Sequence, residues 1–136
     1  MSAFANVTEL PARPIWAGVL ARAVHGGRVT VGVIEFEAGV ELPEHRHDNE
    51  QLGLLLSGSL TLCVGGETRA LGPGELWRIP PDVPHSGRAG PQGAVAVEVF
   101  GPPREDWETV EALAPALPPA GPEPSYTQRA IAPLAV

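Results

Sequence analysis

The chain has one cysteine among 136 residues, 5% aromatic side chains, and nine lysine plus arginine residues against sixteen acids. Each scarcity removes a class of function. A lone Cys63 cannot close an internal disulfide, which agrees with a reducing compartment. It lies in the apolar stretch Leu60 to Val64, where a thiol is expected to be buried and inert. A net charge of -7 with no Lys/Arg-rich run leaves no electrostatic footprint for a phosphate backbone or an anionic lipid, so neither nucleic acid nor a membrane is an expected partner. No apolar run approaches the ~20 residues needed to span a bilayer. The opening MSAFANVTELPARP also lacks the basic stretch and apolar core of a secretory signal. The expectation is a cytoplasmic protein with one domain, because 136 residues bury one core and not two.

What the chain has in quantity is glycine and proline, 16 of each, set as punctuation between short apolar runs. That pattern predicts many turns and short strands, hence an all-β sandwich or barrel. Predicted strands are Ile15 to Val24, Val29 to Glu37, Gln51 to Ser57, Ser59 to Val64, Glu67 to Leu71, Leu76 to Ile79 and Ala94 to Phe100. The connections His25-Gly26-Gly27, Ser57-Gly58-Ser59, Gly65-Gly66, Gly72-Pro73-Gly74 and Pro80-Pro81-Asp82 supply positive φ or a fixed φ, as tight hairpins require. Pro102-Pro103 stops the last strand, and Arg104 to Ala114 is predicted as one short C-terminal helix. The domain then divides into an N-terminal arm (1-14), a β-barrel ending in that helix (15-114) and a Pro/Ala-rich tail (115-136).

In the stretch HRHDNEQ, extended backbone puts His45, His47 and Gln51 on one face and turns Arg46 and Glu50 away. Two imidazoles and an amide thus converge without helical geometry, as a borderline divalent cation requires. His85, after the rigid Pro80-Pro81-Asp82-Val83-Pro84, can reach the same cavity from another direction. At these residues the sequence resembles the cupin superfamily. The first motif, G-x(5)-H-x-H-x(3,4)-E-x(6)-G, is met by Gly39, His45, His47, Gln51 and Gly58, with Gln for Glu. The second, G-x(5)-P-x-G-x(2)-H-x(3)-N, is met by Gly74, Pro80 and His85, with Asp82 for Gly and Ala89 for Asn. The resemblance covers residues 28-100. It implies a jelly-roll β-barrel in which His45, His47, Gln51 and His85 hold one divalent transition metal, any of Ni, Zn, Fe or Mn. Three imidazoles and an amide leave the +2 charge undiminished, which suits a Lewis acid gripping an anion better than an oxygen-activating centre.

Further along, Glu98, Phe100 and Arg104 follow the D-x-F-x(3)-R pattern, with Glu for Asp. With the H-x-H-x(3)-Q ligands this is similar to the pectin-degradation (KdgF-type) cupins, which linearise 4,5-unsaturated uronates. That resemblance implies a small anionic substrate, a proton moved by Glu98, an apolar wall from Phe100 and a carboxylate clamp from Arg104. The alternatives are a polyketide cyclase or dioxygenase acting on an aromatic substrate, and a non-enzymatic small-molecule-binding cupin. Each residue also has a plainer role: Glu98 facing solvent, Arg104 paired with Glu108 one turn on, and Phe100 packing the barrel. His25 reads as a turn residue, and Trp16, Trp77 and Trp107 as core or interface. Arg78 belongs either to the outer sheet face or to the barrel mouth. A homodimer is expected, as such barrels commonly pair.

Overall fold

The computed structural model describes residues 2-114. The predicted tail, 115-136, lies outside the described residues. Eight antiparallel strands follow in order: β1 (Arg13–Trp16), β2 (Val19–His25), β3 (Thr30–Phe36), β4 (Glu41–His45), β5 (Glu50–Val64), β6 (Glu67–Leu71), β7 (Leu76–Ile79) and β8 (His85–Gly101). The backbone of the sheet runs β1-β2-β3-β8-β5-β6, with β4 beside β8 and β7 beside β5. Two long strands, each shared between two sets of partners, fold this sheet into a pair of layers. Residues 94-101 of β8 lie between β3 and the first half of β5, whereas residues 85-89 lie between β4 and the second half of β5. The core fills the space between, built on Ile34, Leu55, Ile79 and Ala96.

Three differences from the predicted strands have local causes. The stretch Ile15 to Val24 is a hairpin, because Gly18 takes φ 78° and folds β1 back on β2. The Ser57-Gly58-Ser59 turn is a bulge inside one continuous β5. Gly58, at φ 76°, lies so close to Gly93 that a Cβ would sit 2.0 Å from its carbonyl oxygen. A second irregularity just before this bulge, where Leu55 and Ser57 pair with the consecutive Ala96 and Val95, exchanges the faces of β5. Gln51, Gly53 and Leu55 point inward before it, and Leu60, Leu62 and Val64 line the interior after it. The last predicted strand is much longer than Ala94 to Phe100, since Gly90 and Gly93 let β8 bend without ending.

The helix predicted from Arg104 is a short 3-10 turn, Glu105–Thr109. The chain then returns to the arm, where the Leu113 N–H donates to the Ala12 carbonyl (2.8 Å). The arm itself contributes the start of β1 at Arg13. Among the described residues no helix is long and apolar enough to cross a membrane.

Candidate metal centre and cavity

A cavity of about 290 Å³ opens between the layers, and all seven residues singled out in the sequence line it: His45, His47, Gln51, His85, Glu98, Phe100 and Arg104. Topology explains the meeting. His45 at the end of β4 pairs directly with His85 at the start of β8, and Gln51 pairs with Phe100 two residues from Glu98. His47 lies in the link to β5, held from behind by the Asp82 N–H, which donates to the His47 carbonyl (2.8 Å). Asp82 takes φ 60°, the left-handed conformation for which the motif carries glycine. The expected alternation holds: Arg46 and Glu50 are exposed, while their neighbours His45, His47 and Gln51 turn inward.

The three imidazoles are prepared as ligands. Each Nδ1 lies against a backbone carbonyl: His45 on Pro43 (2.8 Å), His47 on Asn49 (3.0 Å) and His85 on Val83 (2.8 Å). A carbonyl only accepts, so each Nδ1 carries a proton, and in the neutral ring this leaves the lone pair on Nε2. Ligand atoms of the three rings lie within 4.8 Å of one another. Burial lowers the pKa of His47 and His85 and keeps them neutral, with the Arg104 charge adding to the effect at His47. The buried His85 Nε2 has no hydrogen-bond partner. A cation would satisfy this orphaned acceptor, so the donor set fits a divalent metal.

Gln51 is neutral where the motif carries glutamate, and its two contacts suit an amide. Its Nε2 donates to Glu98 Oε2 at 2.5 Å, which directs its Oε1 to within 3.1 Å of His47 Nε2. With the proton on Nδ1, both atoms are acceptors, and a cation beside the pair could be reached by both. A glutamate at position 51 would instead set a second carboxylate against Glu98. The amide serves both sides at once, with its oxygen toward the imidazoles and its nitrogen toward the acid.

Glu98 is only 6% exposed, so it faces the cavity and not solvent. Burial raises its pKa to about 7, opposed by the Gln51 hydrogen bond and the Arg104 charge. Phe100 packs edge-to-face on Trp107 with centroids 5.0 Å apart, and also faces His47 at 6.1 Å. The Arg104 guanidinium lies against both of those rings, 5.1 Å from the Phe100 centroid and 4.9 Å from that of Trp107.

Arg104 does not pair with Glu108. It binds Asp106 through two parallel contacts of 3.0 and 2.9 Å, and this lowers the Asp106 pKa. Glu108 lies instead 3.9 Å from His25. Sequence reasoning missed Asp106; its one signal is the Arg104-Glu105-Asp106 spacing. It also missed Thr30, whose buried hydroxyl oxygen accepts from the Arg104 N–H (2.9 Å) and contacts His25 Nδ1 (2.7 Å). Trp16 is 42% exposed and stacks on His45 at 5.9 Å, whereas Trp77 and Trp107 are core. Arg78 is exposed beside Leu52 on the outer sheet face, and Cys63 is half-buried and not deeply enclosed.

A two-layered β-barrel with three imidazoles and an amide converging in one cavity defines a class of small barrels whose interior could hold a metal ion. The chain belongs to the cupin domain family, whose model matches residues 32–100. Among solved structures it is similar to an RmlC-like cupin from Shewanella frigidimarina, at 24% identity over 78% of this chain and 96% of that one, TM-score 0.72. It is also similar to KdgF from Halomonas sp., at 22% identity over 78% and 98% of the two chains, TM-score 0.71. The polyketide cyclase RemF from Streptomyces resistomycificus shares 25% identity over 75% and 80%, TM-score 0.65. No curated protein matches the sequence.

Proposed function

We propose that this cupin is a metal-dependent isomerase that ring-opens a 4,5-unsaturated uronate or a similar small oxygenated acid. The observation that carries this reading is the buried Glu98 on the cavity wall, held by the Gln51 amide and facing the same space as Arg104 and the three imidazoles. His45, His47, His85 and the Gln51 oxygen would hold the metal. When bound, it supplies Lewis-acid stabilisation of oxygen anions. The chain's own residues do the rest. An unsaturated uronate is a cyclic enol ether, and opening its hemiacetal yields an enol. Conversion to the ketone moves a proton from the enol oxygen to carbon, with no change of oxidation state. A carboxyl group with a pKa of about 7 both gives and takes protons at neutral pH, and Glu98 is assigned that exchange. Arg104 receives the substrate carboxylate, and Phe100 presents its face to the ring.

The test is the loss of ultraviolet absorbance of an unsaturated galacturonate beyond its spontaneous rate. Wild type should accelerate it, and His85→Ala, Glu98→Gln and Arg104→Ala should each fall at least tenfold. Equal rates in all four proteins would refute the site.

A second reading is a cyclase acting on an aromatic polyketide. It is supported by the aliphatic wall of the cavity, formed by Leu42, Leu60, Leu62, Val64 and Ile79, and by the likeness to RemF. Turnover of an aromatic polyketone without action on the uronate would favour it.

A further inference from the structure

Arg104 already has a carboxylate. Its Nε and Nη2 donate in parallel to the two oxygens of Asp106, the side-on geometry in which an arginine receives a carboxylate ligand. The two members of the pair are held very differently. Arg104 is fixed: its N–H donates to the buried Thr30, its guanidinium is confined by Phe100 and Trp107, and its side chain is 17% exposed. The Asp106 side chain is 63% exposed at the rim of the same cavity. Rotation about the side-chain torsions of Asp106 frees the arginine's edge and leaves Arg104 where it is.

We infer that Asp106 is a specificity-determining residue, an intramolecular stand-in for the substrate carboxylate that occupies Arg104 until an incoming acid displaces it. This rests on the proposed reading in which Arg104 receives the substrate carboxylate. The consequence is selective. A neutral molecule cannot replace Asp106 on the arginine, and a simple acid gains little because it exchanges one carboxylate for another. An acid that is also gripped elsewhere in the cavity, by a second oxygen at the imidazole cluster, wins the exchange. The occupant is therefore an acid with a second oxygen a few bonds from its carboxylate, as in a uronate or an α-oxygenated acid. An exposed ion pair is weak, so the competition it imposes is modest, about three- to tenfold in affinity.

Calorimetric binding of D-galacturonate, with its uncharged methyl ester as control, tests this on the full-length metal-loaded protein. Asp106→Asn should bind the acid about three- to tenfold tighter than wild type, with the ester unchanged, and KM for a turned-over acid should fall by the same factor. If Asp106 merely props Arg104 in place, the variant binds the acid more weakly. Weaker or equal binding, or no binding by either protein, overturns the inference. Arg104→Gln separates the two levels of argument: it should lose the preference for acid over ester. If it loses that preference and Asp106→Asn shows no gain, only the stand-in role fails. If it binds the acid as wild type does, the assignment of Arg104 fails, and the proposed function with it.

Discussion

Replacing Gln51 with glutamate changes one amide nitrogen to oxygen, and the structure makes that a large perturbation. The Gln51 Nε2 donates at 2.5 Å to a carboxyl that is almost wholly buried. In Gln51→Glu, two carboxylates meet where a donor met an acceptor. With the charge centres about 4 Å apart and an effective dielectric of about 20, their repulsion is about 4 kcal/mol. Retaining one proton between the two relieves most of it, so the penalty is steeply pH-dependent. In chelator, the variant should be about 2 to 4 kcal/mol less stable than wild type at pH 8. At pH 5 the pair shares a proton and the gap should nearly close. For a domain of this size that is a melting shift of roughly 8 °C or more at pH 8. Urea denaturation at both pH values is the assay, with the slope checked for constancy. Equal stability of the two proteins at pH 8 would show that Gln51 and Glu98 do not pair, and would remove the physical reason for a neutral residue at this position.

Glu98 predicts its own pH profile. Its folded pKa, raised from 4.5 to about 7, means that the folded state holds a proton the unfolded state has lost between those values. Stability from this group is therefore full below about pH 4.5 and lost as pH rises through 7, by about 3 kcal/mol. Metal-free Glu98→Gln should lack this loss, so that wild type minus variant falls across that window; a constant difference would refute it. His47 and His85 act in the opposite sense, because their lowered pKa values make protonation below 6.5 favour the unfolded chain. Adding a divalent transition metal at a hundredfold excess over its dissociation constant should raise stability by about 3 kcal/mol, and His85→Ala should abolish that gain in a melting assay. Gly58→Ala should lose more than about 2 kcal/mol in urea denaturation, since its φ of 76° and the Gly93 carbonyl oxygen, 2.0 Å from where the new methyl would sit, leave no accommodation. Finally, Val24, Val31, Leu52 and Leu76 remain 42 to 72% exposed on the outer face of β2, β3, β5 and β7. With β8 between β3 and β5, these five paired strands present an outer face of roughly 24 by 20 Å, over half of the ~800 Å² that a standard interface takes from each partner. A second copy is the expected occupant: sedimentation should find a dimer that Leu52→Asp dissociates, and a monomeric wild type would refute it.

The clustering of the histidines with Gln51 was legible because alternation is a local property. His45, His47 and Gln51 share a parity that any extended backbone expresses, and the glycine and proline punctuation marked most of the turns. Gly58 shows the limit of such reasoning. A positive φ there suits a hairpin turn and a bulge equally, and only the pairing with β8 makes it a bulge. Glu98 shows another. Its strand reads AVAVEVF, apolar on both faces, so the alternation that normally separates inside from outside carries no signal.

The all-β class, the cupin family, the three histidines and the inward face of Gln51 were all readable from the order of residues alone. Each depends on residues spaced a few positions apart in extended chain. It took the folded chain to establish that Glu98 faces the cavity, that the amide of Gln51 joins it to the imidazoles, and that Asp106 rather than Glu108 holds Arg104. The first two depend on strand register between β5 and β8, which are 47 residues apart at the Gln51–Glu98 bond. The third depends on how a 3-10 turn, in place of an α-helix, aims side chains two residues apart toward one another.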